Sequence, residues 1–163
     1  MVSKKVTWGL LAAWVVHDLE ELATMARWTR AHKHVPTTTT PEAAIAIGLV
    51  GAVVAAAAAD GARTCGKSKL FQTVLTGFGL HAVTHVASSA VCRGYTPGVV
   101  TAPIVVAPFS WWALRRLKRA GVAVHPSPRA LLWFPVIVGA AHWIARSATR
   151  VRENTAGMTN HGR

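Results

Sequence analysis

Apolar runs long enough to cross a bilayer constrain this chain most. A helix crosses the roughly 30 Å hydrocarbon core in about 17–25 apolar residues. Five segments approach that length and character: residues 6–26, 43–59, 70–91, 99–114 and 130–148. The second is almost wholly Ala, Val, Ile, Leu and Gly. Pro41 and Glu42 before it suit a helix start, where Pro is tolerated and a carboxylate complements the dipole. The fourth is short and carries Pro103 and Pro108, so a kinked or partly re-entrant course is expected. Lipid tolerates such a course only where protein covers the freed backbone groups. The expected fold is an all-α integral membrane bundle of about five transmembrane helices with a polar His/Glu interior, one domain over residues 1–148. Residues 149–163 are polar and without periodicity, and read as a disordered tail.

Composition narrows the partners. With 52% hydrophobic and 15% charged residues, a disordered basic chain is excluded. The net charge of +12 invites a nucleic-acid reading. The cations, however, flank the apolar segments, where lipid phosphates lie, and Trp8, Trp28, Trp111 and Trp112 sit near segment ends as interfacial anchors do. The expected partner is the lipid bilayer, not nucleic acid. Cations divide almost evenly between the two sides; the Arg115, Arg116, Lys118 and Arg119 cluster favours a cytoplasmic N-terminus. An Ala-, Val- and Arg-rich chain with short connections suggests a bacterial inner membrane. Lys4 and Lys5 precede an apolar run as in a signal peptide, but no small-residue cleavage pattern follows, so a retained span is expected. Cys65 and Cys92 form no recognisable motif.

The acids are the most informative residues. Six serve the whole chain, and three of them, Asp18, Glu20 and Glu21, fall inside the first segment. A carboxylate near the bilayer centre costs about 2.5–3.5 kcal/mol on insertion scales, so a compensating proton, cation or metal is expected. His17 is i,i+3 to Glu20 and i,i+4 to Glu21, which puts all three on one helix face. In the third segment His81 and His85 are i,i+4, a spacing that lets two imidazoles share one metal. Gly77 and Gly79 precede them and permit close helix approach. The fifth segment adds His142. The expected site therefore has His17, Glu20 and Glu21 as acid/base groups. Its metal ligands are drawn from His17, Glu20, Glu21, His81, His85 and His142. Imidazole and carboxylate without thiolate suit one divalent metal, zinc or iron. A di-iron bundle needs carboxylates from several helices, whereas here they come from one. No GxSxG, GxGxxG or P-loop is present. Pro97-Gly98 suits a type II turn, and Tyr95 reads as an interfacial anchor, with a phenol donor at the cavity mouth as the alternative.

His17-Asp18-Leu19-Glu20-Glu21 resembles the defining motif of the HXXEE family of small bacterial integral membrane proteins. His85, Ser89, Arg93, Tyr95, Pro97, Gly98 and Thr101 resemble that family's later H…S…R-x-Y-x-P-G-x-x-T pattern. The resemblance covers residues 6–114. It implies a helical membrane protein and selects His17, Glu20, Glu21 and His85, while supplying no reaction; His81 rests on its i,i+4 spacing alone. The expected function is a membrane-embedded metal-dependent enzyme acting on a hydrophobic small molecule, by hydrolytic or oxygen chemistry. The alternatives are a proton or divalent-metal transporter using the same cluster, and a non-catalytic membrane accessory protein. Many transporters use internal repeats; none is visible here, so a homo-oligomer would have to supply that symmetry.

Overall fold

The computed structural model describes residues 2–160, the side chains of residues 130, 133, 134 and 152–160 excepted. Among these residues the fold is all helical, without strands: α1 (Lys4–Ala31), α2 (Thr40–Arg63), α3 (Lys69–Cys92), α4 (Ala107–Arg119) and α5 (Pro128–Asn160). A π-helical turn, Ala102–Val106, leads into α4.

Local chemistry sets these boundaries. Side-chain oxygens of Ser3, Thr39 and Ser68 cap the starts of α1, α2 and α3. At α2 the Glu42 carboxylate reaches back to the Thr39 N–H at 2.7 Å, which completes a capping box. Arg93 ends α3 in the left-handed region at φ 49°, and the Gly94 N–H closes onto Ser89 O at 3.1 Å. Pro103 and Pro108 remove two helix donors and crowd the carbonyls one turn back. The Ala107 N–H bonds Ala102 O instead, five residues back, and the helix widens there. The kink expected in the fourth segment thus takes a π-helical form.

α1 packs on α2, α2 on α5, and α3 on the π-turn and α4. Leu10, Phe71, Leu75, Val106 and Leu117 are fully buried between α1, α3 and α4. Many large apolar side chains face outward, among them Leu132 at 78% and Trp143 at 72% exposure. Apolar exposure on this scale marks a surface that meets something other than water.

Among the described residues, two helices, α2 and α3, are long and apolar enough to cross a membrane. α4, with 13 residues, measures only about 20 Å. α1 extends five residues past the expected segment but carries the three acids. α5 departs from expectation at its far end: residues 149–160, read as disordered tail, continue the helix. Residues 161–163 of that tail lie outside the described residues.

Candidate metal centre

Four side chains from two helices converge. His17 and Glu21 on α1 and His81 and His85 on α3 each offer a ligand atom, and the four atoms lie within 4.8 Å of one another. The His85 Nε2 is 2.8 Å from His81 Nε2, 3.2 Å from His17 Nε2 and 3.3 Å from Glu21 Oε1. His17 Nε2 and Glu21 Oε1 are 4.0 Å apart. Bonds of about 2.0–2.1 Å to a tetrahedral zinc give ligand–ligand edges of about 3.3 Å. The observed separations bracket that value. His17 is fully buried and His85 nearly so.

Second contacts orient two of the rings. His85 Nδ1 lies 2.8 Å from the Pro97 carbonyl, which can only accept, so Nδ1 carries the hydrogen. His17 Nδ1 lies 2.8 Å from Thr101 Oγ1. That hydroxyl donates to Glu20 Oε2 at 2.6 Å, so its oxygen accepts from His17. In the neutral rings both Nε2 atoms are then bare lone pairs facing each other and the Glu21 carboxylate. Such a set is repulsive until a cation or proton enters it. Imidazoles held through the far nitrogen are also how metal-binding histidines are commonly fixed.

Glu20 and His142, expected among the ligands, stand outside this group. Adjacent helical residues differ by about 100° around the axis, and that rotation turns Glu20 away from Glu21 toward the turn after α3. Its carboxylate accepts from Thr101 N at 2.8 Å, Val100 N at 3.2 Å and Tyr95 Oη at 2.8 Å, besides the Thr101 hydroxyl. Glu20 is a latch between α1 and the following loop. His142 is held off because α5 packs through Ala141 and Ala145 against Ala46 of α2. Its ring instead lines a cavity of about 60 Å³ with Trp14, Asp18, Glu21 and His81. Asp18, buried on α1, thus lines the same cavity as two members of the cluster, Glu21 and His81.

Tyr95 is more than an anchor. Burial raises its phenol above the ordinary value and the Glu20 carboxylate raises it further, so it remains a donor to Glu20 and to Thr24. The Trp28 indole holds the Tyr95 carbonyl at 2.7 Å.

The family described as "Protein of unknown function with HXXEE motif" matches residues 8–113. The chain belongs to the HXXEE family. No curated protein and no solved structure matches it. The two HXXEE patterns meet in this one place. Ser89 Oγ donates to Gly94 O at 2.6 Å, and Arg93 supplies the left-handed end of α3. Pro97 and Gly98 form the expected type II turn, closed by Val99 N to Thr96 O at 3.1 Å with Gly98 at φ +82°. A Cβ on Gly98 would fall 2.6 Å from His85 Cε1 and 2.8 Å from His17 Cε1, so the turn backbone lies directly against both rings. The roles of Thr101, Gly98 and the Pro97 carbonyl have no signature in composition or spacing. The family pattern includes all three residues, and the placement of the turn over the rings gives them their roles.

On the outer side of α3, Gly77, Leu80, His81 and Thr84 line a groove of about 480 Å³ with Leu131, Pro135 and Val138 of α5. Its volume is in the range of small-molecule sites. His81, half-buried, belongs to both the groove and the centre.

Proposed function

We propose that this protein is a membrane-embedded, metal-dependent enzyme acting on a hydrophobic small molecule. The observation that carries the reading is the convergence of His17, Glu21, His81 and His85, with the lone pairs of His17 and His85 turned inward by Thr101 and Pro97. One divalent cation, zinc or iron, suits three imidazoles and a carboxylate. Its chemistry would be Lewis-acid activation for zinc or oxygen chemistry for iron. The chain's own groups divide the remaining work. Glu21 and the three histidines hold the cation, Asp18 faces the adjoining cavity as the proton-handling carboxylate, and Glu20 positions His17 through Thr101. The apolar groove between α3 and α5 is the route by which a substrate reaches His81 from the bilayer. The outward apolar side chains of α1 and α5 support a bundle of about five spans, α1 and α5 included, in a bacterial inner membrane with a cytoplasmic N-terminus.

Elemental analysis of the detergent-purified protein beside His85→Ala and Glu21→Ala tests the centre. Roughly one equivalent of zinc or iron, lost in both variants, is expected. Folded, freshly purified protein without metal overturns the reading. A proton or divalent-metal transporter is the second reading, favoured by the small cavity where Asp18 and His142 face the cluster. Ion flux into liposomes abolished by the same variants would select it.

A further inference from the structure

We propose a phospholipid site, independent of the metal reading, at the opposite end of the bundle. There Lys5 of α1 and Arg116 and Arg119 of α4 line a pocket of about 370 Å³ together with Val2, Val6 and Trp112. The ligand is the headgroup phosphate of an anionic membrane phospholipid.

Charge is the first argument. Among the described residues, no carboxylate lines this pocket. Of the chain's six acids, Asp18, Glu20 and Glu21 stand in the half of α1 that holds the metal centre, Glu42 pairs with Arg146, and Asp60 pairs with Arg63. Glu153 is among the side chains not described. Three cations around one pocket repel each other. The α4 dipole accounts for Arg116 and Arg119, which lie in its last turn. It does not account for Lys5, a cation in the first turn of α1, where the dipole opposes it. An anion between them relieves both repulsions.

Location commits the anion to a lipid. Val2, Val6, Trp112 and Ala120 add an apolar side to the lining, which free phosphate has no use for and a glycerol-linked acyl chain does. The α2–α3 connection lies at the same level, because a Cβ on Gly66 would meet Leu117 at 2.5 Å and Val2 at 3.4 Å. The pocket therefore sits where two membrane-length helices end. Trp111, 60% exposed with Arg115 stacked 4.2 Å above its ring, stands on the same helix in a separate pocket with Arg115 and Lys118, as an interfacial anchor does.

Native mass spectrometry from detergent tests this, with phosphatidylglycerol, phosphatidylcholine of the same chains, and inorganic phosphate as probes. One phosphatidylglycerol retained in preference to phosphatidylcholine is expected. Arg116→Gln/Arg119→Gln should weaken retention at least tenfold, and Lys5→Gln alone severalfold. Arg115→Gln/Lys118→Gln changes the same helix by the same charge outside the pocket and should stay within twofold. Equal losses in both pairs mean diffuse surface charge and overturn the site. Displacement of the lipid by millimolar inorganic phosphate overturns its assignment to lipid. Should the double variant fail to fold, the Lys5→Gln result decides alone.

Discussion

Gly98→Ala is the sharpest probe of the centre, because the added methyl has nowhere to go. Its Cβ would stand 2.6 Å from His85 Cε1, 2.7 Å from His85 Nδ1 and 2.8 Å from His17 Cε1. Restoring an ordinary contact of about 3.5 Å moves the ring or the turn by about 0.9 Å. A functional site tolerates displacements of only about 0.5 Å. The same shift stretches the His85 Nδ1 bond to Pro97, now 2.8 Å, since Pro97 is the residue before the glycine. Loss of an orienting contact of this kind lowers metal affinity about 10–100-fold, or about 1.4–2.8 kcal/mol. Backbone strain at positive φ adds a cost to folding of about 1–2 kcal/mol.

The control separates these terms. Gly121 also has positive φ, at +72°, but a Cβ there meets nothing within 4 Å. Gly121→Ala should therefore lower the melting temperature through strain alone and leave metal affinity untouched. Competition against a chelator measures affinity, and thermal unfolding in detergent measures stability. The expected pattern is comparable destabilisation from strain in both variants, further destabilisation in Gly98→Ala, and affinity lost only in Gly98→Ala. Wild-type affinity in Gly98→Ala would refute the inference that the turn backbone fixes the two imidazoles.

Further outcomes follow from neighbouring contacts. Glu20→Gln should lose about 1.5–3 kcal/mol of stability, because a charged acceptor of several hydrogen bonds is neutralised, and should weaken metal binding about 10–100-fold through the loosened Thr101–His17 contact; a melt and chelator competition check both halves. Chelation of the loaded protein should lower its melting temperature, with a loss of about 2.7 kcal/mol when free metal had stood at a hundred times the dissociation constant. Glu42→Ala removes the capping box of α2 and the 3.6 Å pairing with Arg146. About 1–2 kcal/mol of stability should go with it, by thermal unfolding, at unchanged metal content.

Helix positions were legible because hydropathy and helix chemistry act locally. Pro41 and Glu42 announced the start of α2, and Pro103 and Pro108 announced a departure from regular helix before α4. The i,i+4 pairs were legible for the same reason: His17 with Glu21, and His81 with His85, needed only the helical repeat. What the sequence hid is rotation about the axes and the path of the loop. His142 has the same look as His85, a histidine within an apolar helix. Only the packing of α5 on α2 through small alanines decides that it borders the cavity and not the cluster. The polar stretch after residue 148 lacked an apolar face, so periodicity gave no signal for the helix that continues there. Tyr95 was open to two readings, interfacial anchor or phenol donor, and its partner Glu20 lies 75 residues away, beyond any local rule.

The paired glutamates of the HXXEE motif therefore answer two different demands. Glu21, one turn after His17, shares its face and points at His85 of α3. Glu20, rotated by about 100°, takes its four donors from the loop between α3 and α4. That loop supplies the Pro97 carbonyl for His85 and the Thr101 hydroxyl for His17. Each glutamate thus serves the same two histidines, Glu21 by joining them and Glu20 by holding the loop that aims them. A single glutamate could not do both, since one carboxylate saturated by four donors has no lone pair left to turn inward. The order of the motif in this chain follows from this geometry: a histidine, a latch at i+3 and a carboxylate of the cluster at i+4. Exchanging the two functions would require the loop to cross to the other flank of α1, where α2 already packs.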